Sequence, residues 1–79
     1  NAWEDYVSWQ KEDKRIINKI NELIKGIQRT PSEEKGKPEP LKYDLAGLWS
    51  RRIDLEHRLV YKYIDKHLYI YSCRYHYDK

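Results

Sequence analysis

The stretch DKRIINKINELIKGIQ, residues 13 to 28, decides how this chain can fold. Asp13 can cap a helix that starts there, and Thr30-Pro31 can end it, because the residue before a proline disfavours the helical conformation. The pattern predicts an amphipathic helix that buries one side against another element. The aliphatic residues that share this side are Ile16, Ile17, Ile20, Leu23, Ile24 and Ile27.

The residues before this helix carry a shorter apolar stripe that breaks near Glu12. Residues 1 to about 11 are therefore predicted to form a first helix, packed antiparallel on the second. The stripe consists of Trp3, Tyr6, Val7 and Gln10.

The chain after the helices changes character. Residues 31 to 40, PSEEKGKPEP, have three prolines, one glycine and no large apolar side chain, which is typical of a loop. Residues 48–54, 57–64 and 67–77 are then rich in Tyr, Ile, Val and Leu and predict three strands. Their short connections, at 54–56 and 65–66, favour antiparallel pairing. We expect an α+β fold in a single domain over residues 1–79, with a helical hairpin packed on a small antiparallel sheet.

Alternation along a strand indicates which residues share a face. In the second strand His57, Leu59, Tyr61 and Tyr63 are predicted to face the core. In the third strand both faces are mixed, so the pattern leaves its inward face unassigned.

The composition limits the class of protein. A 79-residue chain forms one domain that buries about 60–65% of the surface of the unfolded chain. It has no apolar run of roughly 20 residues and no signal-peptide pattern. The single cysteine, Cys73, suits a reducing compartment. We therefore expect a cytoplasmic protein without a membrane segment.

Positive charge is concentrated late in the chain. Residues 1–34 have six Lys/Arg against seven Asp/Glu, a net of −1, and residues 35–79 have ten against six, a net of +4. A basic surface of this kind suits RNA, since Lys and Arg that neutralise phosphates release counterions. Many small basic domains bind no nucleic acid, so a solvated surface stays a plausible alternative.

The residues available for chemistry are acids, bases and arginines. His57, His67 and His76 lack the spacing of zinc ligands, and there is no glycine-rich phosphate loop or serine-nucleophile motif. We expect neither a metal nor a cofactor. Metal-free RNA cleavage needs a base for the 2′-hydroxyl proton, a cation for the phosphorane-like charge and an acid for the leaving 5′-oxygen.

Three residues fit these roles, and each has an ordinary alternative. Glu39, stiffened by prolines on either side, is the candidate base, although such a loop Glu is usually inert. Arg58 lies on a predicted strand that can aim its guanidinium at phosphate, although a surface ion pair, for example with Glu56, is the simpler interpretation. His76 is the candidate acid, although a histidine near the end of a chain is usually only solvated. Tyr77 could stack on an exposed base.

The string KGKPEPLKYDLAGLWSRRIDLEHRLVY at 35–61, with CRYHY at 73–77, resembles the YoeB branch of the RelE toxin superfamily. WQKEDKRIINKINELIK at 9–25 and RTP at 29–31 extend the resemblance over essentially the whole chain. It implies a ribosome-dependent endoribonuclease that cuts mRNA in the ribosomal A site. It also implies a neutralising antitoxin of the YefM type. The family fold opens with a β-strand before the first helix, whereas this sequence begins inside that helix. We therefore expect a sheet that lacks this strand, which was either cut off or not resolved.

The resemblance implies specific roles for residues of this chain. Glu39 would be the general base, His76 the general acid and Arg58 the stabiliser of transition-state charge. Supporting contacts to RNA would come from Lys42, Arg52 and Tyr77. The other motif residues, Arg51, His57 and Arg74, are interpreted as structural or as contacts to rRNA.

Two other functions stay open at this point. The chain could be a module that binds rRNA or an antitoxin without cleaving RNA, or an inactive toxin that assists its antitoxin as a repressor. The sequence also leaves open whether the working species is a monomer or a homodimer.

Overall fold

The second helix is the most regular element of the structure, a computed structural model that describes residues 1–31 and 35–74. This helix, α2, spans Lys14–Arg29. The Asp13 carboxylate accepts a hydrogen bond from the Arg15 backbone N–H at 3.0 Å and is contacted by the Arg15 guanidinium, which lowers the pKa of Asp13. At the other end, the Thr30 N–H donates to the Gly26 carbonyl at 2.8 Å. Both predicted boundaries are confirmed.

The first helix, α1, spans Ala2–Glu12 and packs on α2. Asn1 caps it in a reciprocal arrangement with Glu4. The Tyr6 hydroxyl donates to the Asn21 side chain at 2.8 Å and ties the two helices together. The predicted stripe was wrong for Trp3, which is 71% exposed, and it omitted Trp9, which is the buried side chain of this helix.

A four-stranded antiparallel sheet follows the helices, with the strands adjacent in chain order. The strands are β1 (Glu39–Pro40), β2 (Trp49–Arg52), β3 (Arg58–Ile64) and β4 (His67–Ser72), and a short 3₁₀ helix at Tyr43–Leu45 lies between the first two. The antiparallel order of the three predicted strands is confirmed. The strand β4 ends at Ser72, and residues 75–77 of the predicted third strand lie outside the described residues. The helices and the sheet together confirm the predicted α+β class.

The strand β1 corrects the prediction that residues 31 to 40 are only a loop. Glu39 pairs with Ser50 and Pro40 pairs with Trp49. A proline fits here because β1 is an edge strand, so that its missing N–H breaks no inner ladder. Composition alone could not show a strand of two residues.

The core lies between the helices and one face of the sheet, which we call the core face. On β3, Leu59 and Tyr61 are buried there and Tyr63 is half-buried, which confirms the predicted alternation. The buried hydrophobic residues of this core are Trp9, Ile17, Ile20, Leu23, Ile27, Ile53, Leu59, Tyr61 and Cys73.

A β-bulge at Tyr71 explains why the last strand had no clear inward face. Tyr61 pairs with Ile70 and Val60 pairs with Ser72, so one residue of β3 corresponds to two of β4. A bulge interrupts the alternation, so the side chains that follow it change sides of the sheet. Ile70 therefore packs against the core, Ser72 lies on the opposite side of the sheet with Val60, and Cys73 returns to the core.

The helices of the described ranges are too short and too polar to cross a membrane.

Candidate active site

The side of the sheet that faces away from the helices carries the candidate catalytic residues, and we call it the charged face. One cross-strand row runs over all four strands as Glu39, Ser50, Val60 and Ser72. The next row pairs Arg52 of β2 directly with Arg58 of β3. The remaining charged residue of β3 on this face is Lys62. One carboxylate and two guanidinium groups therefore project from adjacent rows of the same surface.

The structure brings Glu39 and Arg58 together. Arg58 Nη1 lies 3.4 Å from Glu39 Oε1, and the Glu39 side chain is 64% exposed while that of Arg58 is 17% exposed. The alternative ion pair of Arg58 with Glu56 does not form, because the Glu56 carboxylate lies 3.6 Å from His57 Nε2. The contact is long and its carboxylate is mostly solvated, so the ion pair is weak and a phosphate that accepts two hydrogen bonds can compete for this guanidinium.

Glu39 is held in place by the segment before it. The Gly36 carbonyl accepts a hydrogen bond from the Arg52 N–H at 2.6 Å, and Gly36 has a φ of 79°. A Cβ at this position would lie 3.0 Å from the Leu23 side chain and 3.2 Å from the Arg52 carbonyl, so a larger residue would be strained and crowded. The loop that precedes Glu39 is thus hydrogen-bonded directly to β2.

Arg51 holds the same loop in place through hydrogen bonds from inside the core. Its guanidinium donates to the carbonyls of Pro31 and Lys35, both at 3.0 Å, and its Nε donates to the Tyr61 hydroxyl at 2.9 Å. The residue is 0% exposed. A buried guanidinium needs partners for its N–H groups, and these three acceptors supply them. Arg51 is therefore structural, one of the two interpretations that the sequence allowed.

Of the other candidate residues, Arg52 is exposed on the charged face. Lys42 is exposed in the connection that follows β1, and it makes no hydrogen bond or ion pair with Glu39 or Arg58 in the part of the chain that the structure describes. His76 and Tyr77 lie outside the described residues.

His57 and Arg74 secure the sheet to α1. The His57 ring meets the Trp9 indole edge-on, with centroids 4.7 Å apart, and the Arg74 guanidinium stacks over the same indole at 4.1 Å. Arg74 also contacts both Glu12 carboxylate oxygens at 2.7 Å and the Ser8 hydroxyl at 2.9 Å. Both residues thus have structural roles, as the sequence interpretation allowed.

Two residues of the charged face escaped the sequence analysis. Ser50 and Ser72 are 2% and 5% exposed, and their hydroxyl oxygens have no hydrogen-bond partner within residues 1–31 and 35–74. Their only signal in the sequence is a small polar residue at an otherwise apolar strand position. Across residues 1–31 and 35–74, no three His, Cys, Asp or Glu side chains gather as a metal site would require.

Comparisons with known proteins place this geometry in context. A family model described as the YoeB-like toxin of bacterial type II toxin-antitoxin systems matches residues 1–77. The chain is similar to Toxin YoeB of Escherichia coli strain K12, with 64% identity over 76 residues that cover 96% of this chain and 90% of the relative.

Solved structures agree with the sequence match. A YoeB-YefM complex from Staphylococcus aureus superimposes with a TM-score of 0.89 at 53% identity, covering 96% of this chain and 88% of the other. A YoeB dimer from the same organism gives a TM-score of 0.89 at 54% identity, with 98% and 90% covered.

Proposed function

Because this chain belongs to the YoeB-like toxins of bacterial type II toxin-antitoxin systems, we propose that it is an endoribonuclease that cleaves mRNA in the ribosomal A site and so inhibits translation. The observation that carries the proposal is the meeting of Glu39 and Arg58 on the charged face. A base and a phosphate-binding cation are two of the three groups that metal-free RNA cleavage needs.

In the proposed reaction, a ribose 2′-hydroxyl of the RNA attacks the adjacent phosphate of the same strand. Glu39 takes the proton of a ribose 2′-hydroxyl, and the resulting oxygen forms a bond to the adjacent phosphorus. The bond from phosphorus to the 5′-oxygen then breaks, and His76 gives that oxygen its proton. The products are a 2′,3′-cyclic phosphate and a new 5′-hydroxyl end. Each positioned proton transfer contributes a factor of roughly 10²–10⁴ in rate.

Arg58 and its neighbours have electrostatic roles in this proposal. Arg58 leaves the Glu39 carboxylate and donates to the phosphate, whose negative charge grows in the transition state. Arg52 lies directly opposite Arg58 and adds positive charge along the RNA backbone. Lys42 and Tyr77 are proposed as supporting contacts to phosphate and base.

The proposed partners are the ribosome with its mRNA, and an antitoxin of the YefM type. The YoeB-YefM complex among the similar structures supports the antitoxin, and the YoeB dimer supports a homodimer. The proposed action on the ribosome and its mRNA implies a cytoplasmic site of action.

The test compares ribosomes that translate a defined mRNA with and without the protein. We expect new mRNA 5′ ends in the A-site codon with the wild type and at least about 100-fold slower cleavage with Glu39→Gln or Arg58→Ala. Matched controls are Glu56→Gln and Arg15→Ala, which change exposed residues away from the charged face and should cleave at the wild-type rate.

Two results would count against the proposal. Cleavage at the wild-type rate by both variants would rule out the proposed site. Ribosomes that stall without new 5′ ends would favour a module that binds without cleaving.

A further inference from the structure

Ser50 presents an unusual combination of burial and missing partners. Its hydroxyl is enclosed and makes no hydrogen bond to any residue that the structure describes, and the same is true of Ser72 in the same cross-strand row. A buried hydroxyl without a partner lowers the stability of the fold, and most such groups in proteins are paired. A serine kept at this cost calls for an explanation outside the stability of the free protein.

Ser50 lies directly beside the candidate base. It is the cross-strand partner of Glu39, and side chains in such pairs project from the same face with Cβ atoms about 4.5–5.5 Å apart. At this separation a serine hydroxyl and a glutamate carboxylate can reach each other by rotation about side-chain bonds. Ser72 is separated from Ser50 by Val60 and lies two strands further from β1 than Ser50 does.

The ion pair between Glu39 and Arg58 crosses over β2, the strand that carries Ser50. Glu39 is on β1 and Arg58 is on β3, so the two strands are about 10 Å apart with β2 between them. Their side chains nevertheless meet at 3.4 Å, which requires them to bridge over β2, the strand that carries Ser50. Arg58 thus holds the carboxylate that Ser50 would otherwise be placed to contact.

We infer that Ser50 is a positioning residue for Glu39. When a phosphate draws Arg58 away, the Ser50 hydroxyl donates a hydrogen bond to one oxygen of the Glu39 carboxylate. That oxygen is then fixed, and the other is left to accept the 2′-hydroxyl proton. The inference deepens the proposed function and rests on Glu39 as the base.

The substitution Ser50→Ala isolates this hydroxyl. We expect single-turnover cleavage of A-site mRNA to slow by roughly 10- to 100-fold, the usual effect of a hydrogen bond to a charged group. The urea midpoint of the free protein should stay the same or rise, because the lost hydroxyl had no partner there. A purely structural role would instead lower stability.

The pH dependence gives a second readout. A hydrogen bond donated to a carboxylate stabilises its charged form and lowers its pKa. Without the Ser50 hydroxyl, the acidic limb of the pH–rate profile should move to higher pH. Ser72→Ala is the matched control, since it removes an equally buried and unpartnered hydroxyl from the same row, and it should leave this limb in place.

A double substitution separates this inference from the proposed function. In the Glu39→Gln background, Ser50→Ala should have little further effect. If Ser50→Ala cleaves at the wild-type rate while Glu39→Gln is impaired, the inference is wrong and the proposed site stands. The inference would also be wrong if Ser50→Ala slowed cleavage as much in the Glu39→Gln background as in the wild type. It would be wrong as well if Ser72→Ala shifted the acidic limb of the pH–rate profile as far as Ser50→Ala does. If Glu39→Gln itself cleaves normally, the proposed site is wrong.

Discussion

The two faces of the sheet treat their polar groups in opposite ways. On the core face, the buried Arg51 has an acceptor for its Nε and for both terminal nitrogens. On the charged face, the buried hydroxyls of Ser50 and Ser72 have no partner among the described residues, and the contact of Arg58 with the mostly exposed Glu39 carboxylate is long. The core face thus pairs its buried polar groups, which favours stability, whereas the charged face leaves hydrogen-bonding groups available for the RNA that we propose it binds.

The largest expected effect comes from truncating a buried side chain of the core face, which would leave a cavity. Leu59 is fully buried on β3, so Leu59→Ala should lower the free energy of unfolding by about 2–5 kcal/mol. Chemical denaturation measures this loss, with Leu55→Ala as a control because Leu55 is fully exposed. Cleavage per folded molecule should not change. A large loss of cleavage in molecules shown to be folded would mean that the two faces are not separable.

A smaller effect is expected at the buried guanidinium. Tyr61→Phe removes the hydroxyl that accepts from Arg51 Nε and leaves this N–H buried without a partner, which should cost about 1–3 kcal/mol. Tyr63→Phe is the matched control, because Tyr63 lies two residues further along the same face of β3 and is half-buried. Equal midpoints for the two variants in urea would show that the Arg51 hydrogen bond to Tyr61 adds nothing to stability.

The smallest effect should come from the surface of the loop that carries Glu39. Lys35 Nζ lies 3.1 Å from Glu22 Oε1, and Lys35 lowers the pKa of Glu22. The carboxylate binds a proton less readily in the folded state, so its contribution to stability is present above its ordinary pKa of 4.5 and is lost as the pH falls through the lowered value.

This contribution can be measured as a difference between urea midpoints. The urea midpoint of the wild type should be slightly higher than that of Glu22→Gln at pH 7. This difference should disappear by pH 3 and in high salt. A difference that widens in acid would contradict the assigned sign.

The periodic parts of the fold could be predicted from sequence because one interaction dominates in each. The aliphatic face of α2 and the alternation of β3 follow from burial of apolar side chains alone. Trp9 was missed because a few apolar positions on a short helix do not fix its orientation: Tyr6 packs against the core as predicted, but the stripe included the exposed Trp3 and left out Trp9.

The candidate site depended on strand order and could be predicted only in part. Glu39 and Arg58 were chosen by residue type and by resemblance, but their contact spans β2 and cannot be deduced from their separation along the chain. The strand Trp49–Arg52 contains two consecutive arginines, and burial of one of them contradicts simple hydrophobic patterning. Arg51 is the inward one of the two, because the carbonyls of Pro31 and Lys35 accept hydrogen bonds from its guanidinium.

The bulge at Tyr71 sets the side of the sheet on which the residues after it lie. In a β4 without a bulge, Tyr71 would pair with Val60, so Ser72 would share the core side of Ile70 and Cys73 would lie on the opposite side. The thiol, whose pKa is raised to about 12 by burial and by the nearby Asp5 carboxylate, would leave its apolar surroundings, and a hydroxyl would enter them. The one extra residue at Tyr71 therefore determines that the thiol, and not the hydroxyl, packs in the core.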